Sequence, residues 1–227
     1  MRRAGNRNLR MLAYPAGLLA LAAAASQLLL PRLAASRISS RVARYGEVRS
    51  VTVSAWPAVE LLWKDADSVD VSAGALTLSP SEAQALLEEG SGTSRIHVSA
   101  QSVRLGPIAL TDASLTRDGS VLIAQASVTA AAVAAALPTG VAVSLEGSEG
   151  GQVRVRVSGA LFGLGASVRA TAGPSDGRLI VTPKGSLLQA FNLTLFSSPH
   201  IYIEGVGATV QSERPLTYRL TLSARTT

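Results

Sequence analysis

Met11 to Pro31 is a run of 21 residues without a charge, rich in Leu and Ala. No other stretch constrains the fold of this chain as strongly. At about 1.5 Å per residue, a helix of that length reaches about 30 Å, enough to cross the hydrocarbon core of a bilayer. Arg2, Arg3, Arg7 and Arg10 precede it, and Arg32 alone follows directly. The positive-inside rule then puts residue 1 in the cytoplasm and everything after Arg32 outside. Two readings of the segment remain open: an uncleaved anchor, or a secretory signal with an Ala-x-Ala site at Ala23-Ala24-Ala25. The apolar run continues through Leu28-Leu29-Leu30, which favours the anchor. A buried helix of a soluble domain is the third reading, and the arginine flank and the lack of a polar face argue against it. The expectation is a plasma-membrane protein with residues 1–32 as signal anchor. Residues 33–227 would form one domain on the extracytoplasmic, cell-envelope side.

The formal charge of +6 suggests nucleic acid until the charges are placed along the chain. Eight arginines and no acid lie in residues 1–45, whereas residues 46–227 hold 13 basic and 15 acidic residues, a net of −2. A domain that neutralises phosphates along a duplex carries excess positive charge. This one does not, so no nucleic-acid partner is expected. There is no cysteine, which excludes disulfides, thiolate metal sites and cysteine nucleophiles.

Past the membrane segment, Leu33, Ile38, Val42 and Tyr45 fall near one face at helical spacing, and the pattern predicts a short amphipathic helix ended by Gly46. From Glu47 the period changes to two. Val51, Val53 and Ala55 alternate with polar residues, Pro57 breaks the run, and a helical piece follows at residues 58–63. Ser68–Ser72 and Ala75–Leu78 read as two strands. Ser79-Pro80-Ser81-Glu82 is a capping box with proline at the first helical position, opening a helix that closes at Gly90. Strand signals then dominate, separated by Gly106-Pro107, Asp118-Gly119 and several glycine-rich turns. Thr129 caps an Ala-rich helix at 130–137, and a short apolar helix is expected at Leu187–Phe191. Val153, Val155 and Val157 should face inward while Arg154 and Arg156 face water. The fold class is α+β: a long antiparallel sheet of roughly eight to ten strands with three or four short helices.

No catalytic machinery emerges. His97 and His200 lie in or at the start of strands without a second ligand at useful spacing. Asp65, Asp67 and Asp70 lack the glycine and downstream glutamate of a calcium loop. There is no G-x-S-x-G elbow, and the glycines between Gly159 and Gly165 precede no lysine. Asn192-Leu193-Thr194 fits a glycosylation sequon, a pattern common by chance. Neither a cofactor nor a metal is expected, and the chain reads as a non-enzyme.

The informative residues are apolar ones in connections. Trp56, Leu62 and Trp63 sit beside Pro57; Leu161, Phe162 and Leu164 occupy a hairpin turn; Phe191 and Phe196 flank a segment that is neither clean helix nor clean strand. They are core residues, or they line a groove for an apolar ligand.

The order Val51-x-Val53-x-Ala55-Trp56-Pro57-x-x-x-Leu61-Leu62, then Ala66-Asp67-Ser68-Val69-Asp70-Val71, and a late Pro183-x-Gly185 before Leu187-Leu188 resembles the LmeA-like phospholipid-binding proteins of actinobacterial cell envelopes. The likeness covers residues 33–227. It departs from the family pattern at Ala58 and Lys64-Asp65, where an aromatic and a glycine are usual. The resemblance implies a long curved antiparallel sheet wrapped over helices, like half of a tubular (TULIP-like) lipid-binding module. It implies a phospholipid partner whose acyl chains lie in an apolar trough, and a part in envelope lipid or glycolipid homeostasis. The competing expectation is an envelope structural or adaptor protein that binds protein partners.

Overall fold

The structure, a computed structural model, describes residues 27, 29–55, 61, 66–89, 93–161, 164–184 and 193–226. Among the described residues there are three helices: α1 (residues 29–42), α2 (Pro80–Glu89) and α3 (Ala130–Ala136). Twelve strands follow one another as β1 (Gly46–Ser54), β2 (Ala66–Leu78), β3 (Thr93–Leu105), β4 (Ile108–Asp118), β5 (Val121–Thr129), β6 (Val141–Glu149), β7 (Gln152–Leu161), β8 (Leu164–Ser175), β9 (Arg178–Pro183), β10 (Leu193–Phe196), β11 (Ile201–Glu213) and β12 (Leu216–Thr226).

The expected single sheet is in fact two. One has seven strands in the order β1-β2-β3-β4-β5-β12-β11, the other five in the order β10-β9-β8-β7-β6. The pairing is also not wholly antiparallel, because β2 and β3 run parallel with Val69 beside Ile96 and Val71 beside Val98. Parallel neighbours need a crossover, and α2 supplies it. The two strands read at Ser68–Ser72 and Ala75–Leu78 are one 13-residue strand. Its partner β1 absorbs two register shifts between Gly46 and Ser50, so the small residues Ala73 and Gly74 pass without breaking the pairing.

The helix caps follow from local chemistry. The Glu82 N–H donates to Ser79 Oγ at 3.2 Å, and the Ser79 N–H donates to Glu82 Oε2 at 2.7 Å, closing the capping box reciprocally. Thr129 caps α3 by accepting from the Ala132 N–H at 3.1 Å. The first helix departs from expectation at both ends. It finishes at residue 42, and Gly46 begins β1 instead of closing the helix. Its packing face is Ala34, Ala35, Ile38 and Val42 against Val53, Val69 and Val71, while Leu33 stands exposed. The face is rotated because the small Ala34 and Ala35 let the helix lie close on the sheet, at positions that Leu33 would hold apart.

The two sheets meet at β11. Its outer edge is closed by turns of the smaller sheet: the Ile203 N–H donates to the Gly177 carbonyl and the Val206 N–H to the Gly151 carbonyl, both at 2.9 Å. The Ala208 N–H finds Ser148 Oγ at 3.1 Å. An unpaired strand edge costs backbone hydrogen bonds and invites aggregation, and here the β6–β7 and β8–β9 turns cover it. The deepest packing lies at this junction, where Leu122, Ile201, Ile203 and Ala224 are buried.

Among the described residues no helix is long and apolar enough to cross a membrane. Residues 11–26 and 28 of the candidate span lie outside them.

Candidate functional site

Strand register builds one apolar face across the larger sheet. Val53 lies opposite Val69, Val71 beside Val98, Val98 opposite Leu115, Leu115 opposite Ala124, Ala124 opposite Leu222, and Leu222 opposite Val206. Helix α1 covers its β1–β3 end. At the other end Leu87 of α2 packs on the cluster around Ile203. Between these covers Val98, Leu115, Ala124 and Leu222 are only half-buried.

The smaller sheet continues this face. Leu179 of β9 and Phe196 of β10 pack on the same Ile203 cluster as Leu115, Val206 and Leu222, so the apolar sides of the two sheets join there. Outward from the junction, Val143, Leu145, Val155, Val157 and Val168 are all half-buried, and of the described helices α3 approaches β6. A sheet face of five branched aliphatic positions left half-wet has apolar area to offer.

The eight residues singled out from sequence do not converge on one spot. Trp56, Leu62, Trp63, Phe162 and Phe191 lie outside the described residues, as do the helical readings at 58–63 and 187–191 and Asn192 of the sequon. Leu161 and Leu164 form the last pair of the β7–β8 hairpin. Phe196 is half-buried at the opposite end of the sheet, pairing with Leu179, which pairs in turn with Pro174 of β8. Leu164 and Pro174 stand at the two ends of β8, roughly 33 Å apart at about 3.3 Å per residue. A site touching both must run the length of the smaller sheet. That length is comparable to the whole hydrocarbon thickness of a bilayer, about 30 Å, and so exceeds one acyl chain.

The opposite side of the smaller sheet is polar. Arg156 on β7 and Arg169 on β8 are register partners, and both reach Glu146 Oε1: Arg156 Nε at 2.7 Å and Arg169 Nε at 3.3 Å. The hydrogen bond from Arg156 holds the Glu146 carboxyl below its ordinary value; desolvation opposes it, and the hydrogen bond from Arg169 adds to the lowering. With Ser167 and Lys184 these arginines line a cleft of about 500 Å³. Sequence reading placed Arg154 and Arg156 in water but missed the cleft. Its signal was available in the hairpin register, which sets position 156 against 169.

His97 accepts or donates one bond, Nδ1 to Thr116 Oγ1 at 3.2 Å, and His200 borders a small cavity of about 200 Å³ with Leu87, Glu88 and Arg117. Among the described residues no group of three or more His, Cys, Asp or Glu could hold a metal ion.

These features define an α+β protein of two sheets that share one apolar face. Comparison with protein families identifies it further: residues 22–223 match the LmeA-like phospholipid-binding family, and the chain belongs to that family. Membership implies phospholipid binding and points to a non-enzymatic role. No curated protein and no solved structure matches the chain.

Proposed function

We propose that this chain is a membrane-tethered, non-enzymatic phospholipid-binding protein of the cell envelope. It holds acyl chains along the joined apolar faces of its two sheets and supports envelope lipid or glycolipid homeostasis. The observation that carries this reading is the half-buried aliphatic face of Val143, Leu145, Val155, Val157 and Val168, on the side of the smaller sheet that joins the Ile203 cluster through Leu179. Each methylene buried there contributes about 0.8 kcal/mol, so a long acyl chain gains on the order of 10 kcal/mol before ordering costs. The trough is lined further by Leu161, Leu164 and Phe196, and by Trp56, Leu62, Trp63, Phe162 and Phe191 from the connections.

Tethering is supported by the charge-free run at residues 11–31 and by the exposed Leu29 and Leu33 at the start of α1, where the helix continues that run. Arginine asymmetry around the run supports an extracytoplasmic domain. Native mass spectrometry of the full chain released from detergent micelles should show retained phospholipid. A protein that carries none and takes none from vesicles is not a lipid carrier, and that result would promote an adaptor for envelope proteins.

A further inference from the structure

We propose that the cleft of Arg156, Ser167, Arg169 and Lys184 is a binding site for a phosphate group. Among the described residues, the ion pairs elsewhere join one cation to one carboxylate, as Arg154 with Glu149 at 3.5 Å and Arg225 with Glu204 at 2.7 Å. Here two guanidiniums share a single carboxylate oxygen of Glu146, and Lys184 has no ion-pair partner among the described residues. Three cations against one carboxylate leave a net of +2 around this open, solvent-facing depression. The guanidinium forks suit phosphate oxygens, and the arginine side chains are about half exposed, so a ligand can reach them. The backbone N–H of Lys184 donates to the Arg169 carbonyl at 2.7 Å, which fixes the two residues side by side.

Strand alternation puts Arg156 and Arg169 on the face opposite Val155, Val157 and Ala170. A phosphate bound there therefore belongs to a different molecule from one whose acyl chains lie in the trough. The phosphate of an anionic lipid at the membrane surface fits, with free phosphate as the other source of the same chemistry. The lipid source rests on the proposed function; the phosphate site itself does not.

The chain has no cysteine, so Ser158→Cys gives a unique thiol on an exposed position opposite Ser167. An environment-sensitive fluorophore there, on the full chain in neutral-detergent micelles, is titrated with phosphatidylglycerol, phosphatidylcholine and inorganic phosphate. Phosphatidylglycerol should saturate the signal and phosphatidylcholine should not. Arg169→Ala with Lys184→Ala should weaken the response roughly thirty-fold, from about five-fold per basic residue near an anionic surface. Glu146→Gln removes a competing carboxylate and should strengthen it. Saturation by inorganic phosphate at equal concentration would keep the site and assign it to free phosphate. Equal responses to both lipids with none to phosphate, or a double variant and Glu146→Gln both indistinguishable from the parent, would overturn the proposal. Retained lipid, read by native mass spectrometry on the same variants, reports separately on the trough. A wild type that answers phosphatidylglycerol but retains no lipid keeps the cleft and loses the carrier.

Discussion

Ile203 donates its backbone N–H to the carbonyl of Gly177 at 2.9 Å, and that bond fastens a turn of the smaller sheet onto the edge of the larger one. Gly177 sits at φ +73°, and a Cβ built there would run into the ring of Tyr202. Gly177→Ala should therefore cost both backbone strain and a clash, about 2–3 kcal/mol. Gly119 has a similar φ of +56° but open space around its missing Cβ, so Gly119→Ala should cost only about 1 kcal/mol. Denaturant unfolding of the two variants checks this, and equal losses would mean that the turn does not dock where Tyr202 places it.

How far the fold could be read in advance follows from the range of each interaction. The Ser79–Glu82 box and the Thr129 cap act over three residues, so their spelling alone locates α2 and α3. Alternation in Val153–Val157 likewise reports which side of a strand is apolar. It does not report which strand lies alongside, and β5 against β12 or β2 against β3 looks the same in one dimension. The division into two sheets thus left no local trace. The parallel pair did leave one: a strand, a ten-residue helix and a second strand spell a crossover. Arg169 and Lys184 are far from Arg156 in sequence, and only hairpin register brings them together.

Acid should weaken the fold through two carboxylates. The backbone N–H and then the hydroxyl of Ser79 hold Glu82 below its ordinary value, and Arg156 and then Arg169 do the same for Glu146. A carboxyl whose folded-state pKa is depressed stabilises the fold above its unfolded pKa, and that contribution is lost as pH falls through the folded value. Stability should thus be flat above the ordinary carboxylate value of 4.5 and decline below it. Glu146→Gln should make the decline shallower, and an unchanged acid limb of the melting profile would remove Glu146 from this role.

Topology has its own test. Four arginines precede the run at residues 11–31 and one follows it directly. A reporter enzyme fused after Thr227 should be active only when it works outside the cytoplasm. Activity of a cytoplasm-only reporter at that position would overturn the orientation, and with it the envelope location.

The sharpest test of the trough contrasts two positions that a core reading treats alike. Ala224 has no exposed surface and lies in the cluster that joins the sheets, whereas Val157 is half-buried on the aliphatic face of the smaller sheet. Ala224→Asp would bury an unpaired carboxylate, cost several kcal/mol and unfold the protein at ordinary temperature. Val157→Asp keeps its carboxylate near water, so the folded chain should survive with a loss of about 1 kcal/mol. A lipid chain lying along Val155 and Val168 would meet that charge, however, and retained phospholipid should fall sharply. Thermal melts and lipid extraction from the two full-length variants separate the readings. If Val157→Asp unfolds as Ala224→Asp does, the face is a core covered by residues outside the described set. If it stays folded and keeps its lipid, the acyl chains lie elsewhere.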